Sequence, residues 1–202
     1  MLSGIEENKE KTFLPESILQ KYDYYHPYMW KRKLSKEIVD RFRVGYDNER
    51  CAITFPVYDE HNKLAMITAR SVENKKFYID KGIEKPVYLL NEIINNNIDT
   101  CYVCESQINA LWMWTIGKPA IALIGTGTHH QYEVIRKSGI RRFILAFDGD
   151  EAGDKGIKRF ILNMPEYCII DVLKVPRGKD VNDLSEEEIN NLEIYSENAL
   201  KS

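Results

Sequence analysis

Two aspartates, Asp148 and Asp150, close an apolar run and flank a glycine in the stretch RRFILAFDGDEAG from Arg141 to Gly153. On a strand end, side chains two residues apart point the same way, so the pair can share a hard divalent cation. Gly149 between them lets a metal-bound phosphate approach the backbone, and Ala152 with Gly153 starts a predicted helix whose positive N-terminus favours anions. Asp and Gly are also the commonest residues of surface turns, so D-G-D by itself leaves both readings open.

Positioning such carboxylates requires strands, and the flanking sequence supplies them. Thr100-Cys-Tyr-Val-Cys-Glu105 reads as a short β-rich run ending in a carboxylate, followed by a helical stretch from Gln107 to Ile116. Cys168 to Val175 is a further apolar run, after which Pro176-Arg-Gly-Lys-Asp-Val-Asn-Asp183 carries a third acidic cluster. Strands alternating with helices imply a parallel sheet, and ligands of such sheets gather at the carboxyl ends of the strands. Glu105, Asp148, Asp150 and Asp180 are therefore expected to converge, with Glu105 no more than about 15 Å from Asp148, the limit for carboxylates around a metal pair.

The segments VCESQINALWMWTIGKPAIALIGTG, FILAFDGDEAGDKGIKRF and VPRGKDVNDL follow one another in that order. Together they resemble the TOPRIM domain shared by primases and topoisomerases, and within that superfamily they are most similar to the bacterial and phage replicative primases. The primase-like order is an acid after the first strand, a Gly-Thr turn after the second, D-G-D-x-A-G after the third and G-x-D-x-[DN]-D-L after the fourth. These fall at Glu105, Gly125-Thr126, Asp148 to Gly153, and Gly178 to Leu184. The similarity continues upstream through KRKLSKEIVDRFRVGYD from Lys31, ITFPVYDEHNKLAMITAR ending at Arg70, and KKFYIDKGIEKPVYLLNEI from Lys75, which look like the small basic subdomain that primases place before TOPRIM. Ile53 to Tyr58 and Leu64 to Ala69 predict a hairpin within it.

The resemblance implies an α/β fold, a Rossmann-like, parallel-rich TOPRIM sheet with helices on both faces, preceded by a small basic α+β subdomain. It divides the chain into an N-terminal lead (1–27) with a helical candidate at Glu16 to Tyr22, the basic subdomain (28–97) ending at Asn95-Asn96-Asn97, TOPRIM (98–184), and a C-terminal helix and tail (185–202). The capping-box spacing of Ser185-Glu-Glu-Glu188 starts that last helix. By the same resemblance Glu105, Asp148 and Asp150 are catalytic. Glu105, Asp148, Asp150, Asp180 and Asn182 hold Mg²⁺ or Mn²⁺, and Arg32, Arg70, Lys76 and Lys85 contact nucleotide or template. Arg70 is the most informative of the four, a lone basic residue on an apolar strand with planar donors suited to a triphosphate. Three positions depart from the family pattern: Ser106 and Asn109 stand where Gly and Asp are usual, and Asn182 where a second spaced aspartate is frequent. An amide oxygen can coordinate a cation but brings no charge, which lowers the expected metal affinity.

The bulk properties fit this picture. A chain of 202 residues can bury a substantial core as one or two joined domains. No run approaches the roughly 20 apolar residues that span a membrane. The polar start Met1 to Lys11 does not read as a signal peptide, so a cytoplasmic location without membrane contact is expected. A net charge of −3 argues against an indiscriminate polyanion binder, but Lys31, Arg32, Lys33, Lys36, Arg41 and Arg43 oppose only Glu37 and Asp40 in a local positive patch. For Lys36 and Arg41 a solvated face of an amphipathic helix, capped by Ser35 with Ile38, Val39 and Phe42 inward, is an equal reading. Cys101 and Cys104 lack the second pair that zinc needs, so these thiols, with Cys51 and Cys168, are expected in the core and no zinc is expected. His129-His130 reads as a helix start, and Trp112, Trp114 and Tyr102 as sheet packing.

The expected activity is that of a primase core: primer synthesis on single-stranded DNA from nucleoside triphosphates. No zinc-ribbon, helical-bundle or helicase-binding segment is found in the sequence. It therefore resembles a minimal core, either a compact phage or mobile-element primase working with a separate zinc-ribbon module and a replicative helicase, or a fragment of a larger chain. The alternatives are a TOPRIM nuclease and a degenerate TOPRIM nucleic-acid or replisome-binding module.

Overall fold

His26 caps a five-residue helix, Pro27–Lys31 (α1), its Nδ1 accepting from the Tyr28 N–H, and Pro27 fills the position where a missing N–H costs nothing. Ser35 caps Lys36–Arg41 (α2) by accepting from the Ile38 N–H, and Ile38, Val39 and Phe42 turn inward as an amphipathic helix requires. The computed structural model describes residues 12–80 and 82–196; Met1 to Lys11 and the end of the tail lie outside the described residues. The helical candidate of the lead is a 3-10 turn, Glu16–Tyr22.

Gly45–Asp47 (β1), Ala52–Tyr58 (β2), Leu64–Ser71 (β3) and Phe77–Tyr78 (β4) form an antiparallel sheet in chain order. The β2–β3 hairpin is the one the alternating sequence predicts. Its turn is held by the Asp59 carboxylate, which accepts from the His61 and Lys63 N–H groups, with Asn62 in the left-handed region it tolerates. Cys51 also sits in a turn at positive φ and is half-buried, whereas Cys101, Cys104 and Cys168 are in the core; the core placement expected for Cys51 is thus corrected.

A helix, Leu90–Asn95 (α3), leads to the second sheet. Its elements in chain order are Thr100–Cys104 (β5), Gln107–Thr115 (α4), Ala120–Ala122 (β6), His129–Lys137 (α5), Arg142–Leu145 (β7), Glu151–Asn163 (α6), Ile169–Leu173 (β8), Glu186–Asn190 (α7) and Ile194–Ser196 (β9). The strand order is β6-β5-β7-β8-β9, with the first four parallel and β9 antiparallel. Because β6 and β7 flank β5 on opposite sides, right-handed crossovers place α4 on one face and α5 and α6 on the other. The contacts agree: Trp114 of α4 packs edge-on against Phe42, while Phe160 of α6 packs against Phe143 and Tyr132.

One continuous core serves both sheets, and Tyr88 exchanges two backbone hydrogen bonds with Ala122, at 2.9 and 3.0 Å, tying the chain ahead of α3 to β6. The capping box of Ser185 starts α7, but the chain then returns as β9 and extends the sheet beyond residue 184. Three exposed residues carry no alternation from which that strand could be read.

Candidate active site

The chain reverses its winding between β5 and β7, and a crevice opens outside the carboxyl ends of such strands. Glu105 leaves β5 there and Asp148 follows β7. The Glu105 carboxylate accepts from the Asp148 N–H at 3.2 Å, far inside the span expected of them. The third loop joins by backbone: the Gly149 N–H donates to the Lys179 carbonyl at 2.9 Å, and the Gly178 N–H to the Gly149 carbonyl at 2.8 Å, which brings Asp180 alongside.

Glycine at 149 has a different reason from the one its sequence context suggests. A Cβ on Gly149 would stand 2.1 Å from the Pro176 carbonyl oxygen, so the residue is small to admit the neighbouring loop rather than a phosphate. Gly153 likewise lies inside α6, where a Cβ would meet the Asp148 carbonyl at 2.0 Å. The helix itself starts at Glu151, capped by Asp150, whose Oδ1 accepts from the Gly153 N–H at 2.8 Å. Asp148 and Asp150 therefore do not present a simple i, i+2 pair on a strand end. Asp148 turns toward α4, where the Asn109 amide donates to its Oδ1 at 3.2 Å.

The electrostatics are those of crowded acids. Burial, then the charges of Glu105, Asp180, Asp150 and Asp183, push the Asp148 carboxyl up to about 7. Burial also raises Glu105, opposed by the Asp148 N–H and reinforced by Asp150. Among the described residues no three Asp, Glu, His or Cys side chains are already drawn into ligating geometry. Even so, the donor set suits a hard cation. Asp150 and Asp180 each spend one oxygen on a cap, to Gly153 and Asp183, and the Asn109 Oδ1 is buried beside Asp148 with no hydrogen-bond partner.

Asn182 is placed differently. It is 3% exposed and its amide donates to the Arg32 carbonyl at 2.7 Å, while Lys33 Nζ donates to the Asn182 and Leu184 carbonyls. Its evident work is to fasten the last motif to the turn after α1. The Arg32 guanidinium approaches Asp180 Oδ2 at 3.8 Å. Thr68 and Arg70 share a face of β3, and Thr68 accepts from the Gln107 amide, two residues beyond Glu105. Arg70 stacks over Phe77 with its Nε buried and unpartnered, and Lys76 lies over Tyr78. Lys85 donates to the Ile124 carbonyl at 2.9 Å, and burial lowers its ammonium pKa.

Sequence reasoning missed Arg159. Its guanidinium donates to the Thr126 hydroxyl at 3.0 Å, in a loop where Ile124, Gly125 and Gly127 all have positive φ and the Gly125 N–H donates to the Glu105 carbonyl. A β-branched residue such as Ile124 at φ 54° is a conformational outlier, of the kind that clusters at functional sites. Nothing in the spacing of Arg159 on α6 points back to this loop.

Residues 102–185 match the Toprim-like family. The chain is 26% identical over 156 residues to a DNA primase of Clostridium acetobutylicum; the match takes in 71% of this chain but only 26% of that protein, about a quarter of its length. Among solved structures, a DnaG primase catalytic domain bound to single-stranded DNA superposes with a TM-score of 0.71 at 18% identity, covering 89% of this chain and 77% of that one. A DNA primase domain from Pseudomonas aeruginosa gives 0.70 at 18% identity, covering 92% and 75%. The fold is that of these catalytic cores.

Proposed function

From a Toprim-like domain at residues 102–185 set in the fold of the DnaG catalytic cores, we propose that this protein is the nucleotidyltransferase core of a DNA primase. The observation that carries the reading is the convergence of Glu105, Asp148, Asp150 and Asp180 from three loops at the carboxyl end of one sheet. Template-directed joining of two nucleotides needs no protein nucleophile: the 3′-hydroxyl of one attacks the α-phosphate of the other and pyrophosphate leaves. When bound, Mg²⁺ or Mn²⁺ would lower the charge barrier and align the in-line displacement. Asp148, Asp150 and Asp180 would hold it, with Glu105 as a further ligand or proton acceptor.

The Asn109 amide fixes the Asp148 carboxylate, and Arg32 offsets the charge of Asp180. Arg70, Lys76 and Lys85, with Arg159, carry positive charge for the triphosphate or template. Single-stranded DNA and nucleoside triphosphates are the substrates in this reading, a replicative helicase and a zinc-ribbon module the partners, and the cytoplasm the place. No helix among the described residues is long and apolar enough to cross a membrane. The test is labelled single strands with Mn²⁺, with and without nucleotides. Primer synthesis only when nucleotides are added, lost in Asp148→Ala, supports the proposal; strand cleavage without nucleotides overturns it in favour of a nuclease.

A further inference from the structure

The turn after α1 holds a lysine where glycine would cost least. The Lys33 N–H donates to the Trp30 carbonyl at 2.9 Å and the Leu34 N–H to the Met29 carbonyl at 3.1 Å, the paired bonds of a helix end closed by a residue in the left-handed conformation. Lys33 stands there at φ 61°, a region that a residue with a Cβ enters at a cost glycine escapes. Its side chain shows what offsets that cost: Nζ donates to the Asn182 carbonyl at 2.7 Å and to the Leu184 carbonyl at 3.0 Å, and lies 5.3 Å from the centroid of the Trp112 ring.

The contact is returned. The buried Asn182 amide donates to the Arg32 carbonyl at 2.7 Å, so Arg32 and Lys33 are joined to the loop after β8 in both directions. That loop carries Asp180, which caps the 3-10 turn Val181–Asp183 and meets the Arg32 guanidinium at 3.8 Å. Trp112 belongs to α4, and the Ser35 N–H donates to the Thr115 hydroxyl of the same helix at 3.2 Å, so the turn is braced on two sides. We propose that Lys33 and Asn182 are positioning residues, a two-way lock that fixes the Asp180 loop against the N-terminal helices and thereby sets Asp180 in the acid cluster. Asparagine at 182 is then required as a donor, because an aspartate there would turn an acceptor toward the Arg32 carbonyl. Its added charge would be a loss for cation binding, not a gain. The inference rests on the acid cluster being a cation site, as the primase reading requires.

Two measurements on the full chain separate the lock from the site. Amide hydrogen exchange of metal-free protein reads the lock alone: Lys33→Gly should speed exchange in residues 178–184 while leaving α6 as in the wild type. Mn²⁺ calorimetry reads its consequence, with Lys33→Gly and Asn182→Asp each binding about tenfold more weakly, the usual loss when a group supporting a ligand is removed. Lys33→Met keeps the strained backbone and loses the ammonium, so it should melt below Lys33→Gly yet bind Mn²⁺ equally weakly; in a merely structural role the loss would follow the melting temperature. Unchanged exchange in Lys33→Gly, or tighter Mn²⁺ binding by Asn182→Asp, overturns the proposal. Mn²⁺ affinity unchanged in Lys33→Gly overturns the positioning role while the primase reading stands. No Mn²⁺ binding by the wild type, with exchange altered as expected, overturns that reading and the positioning role with it, leaving Lys33 and Asn182 a structural lock.

Discussion

Asp148 is the residue on which the site turns, because it meets acids from the loops after β5 and β8 at once. Its raised carboxyl means that the folded protein binds a proton more tightly than the unfolded chain does, so folding favours the neutral form. In metal-free protein its contribution to stability should therefore fall as pH rises from the ordinary carboxylate value near 4 through about 7, then level off. Asp148→Asn removes that titration. The variant should gain on wild type over this window by about 1–2 kcal/mol, allowing for solvent screening, or a few degrees in melting temperature at this chain length. Parallel melting curves of the two proteins across that window would contradict the crowded-acid picture. Asn109 belongs to the same scale. Read as a sequence it is a lost aspartate; in place it is the amide that orients Asp148, a role visible only once α4 is packed against the β7 loop.

At the scale of elements, one carboxylate serves two purposes. Asp150 both caps α6 and faces the acid cluster, and the two can be separated by substitution. Asp150→Ala should cost about 1 kcal/mol of stability, whereas Asp150→Ser keeps the cap and most of that stability. Both should lose Mn²⁺ affinity by calorimetry. Equal melting temperatures for the two variants would show that the cap is not the stabilising contact. The elements were largely legible. The β2–β3 hairpin, the caps at Ser35 and Ser185, and the helices after Glu105 and after Asp150 follow from local patterns of alternation and side-chain capping. What escaped were features set by distant residues: Pro176 against Gly149, the bridge of Tyr88 to β6, Arg159 reaching Thr126, and β9, whose pairing comes from β8 rather than from its own composition.

Across the whole molecule, the basic stretch from Lys31 to Arg43 is less free than its composition suggests. Lys36 pairs with Asp40, Arg41 with Glu92 and Arg43 with Glu16, and Arg32 leans on Asp180. Glu16 and Glu92 lie far off in the sequence, so this neutralisation could not be read from the local charge count. Few cations remain for phosphates. With about three to five contacts, single-strand binding should fall as roughly the second to fourth power of salt concentration. A much steeper dependence in a salt titration would mean that the ion pairs open to meet the nucleic acid. The proposed cation site draws its acids from three loops and carries amides at Asn109 and Asn182. Calorimetric titration of Mn²⁺ near pH 8, where Asp148 is ionised, tests it most directly. Saturable binding to the wild-type chain that is lost in Asp148→Asn and Asp180→Asn is the predicted result; no binding to the wild type, or binding unchanged in both variants, would contradict it.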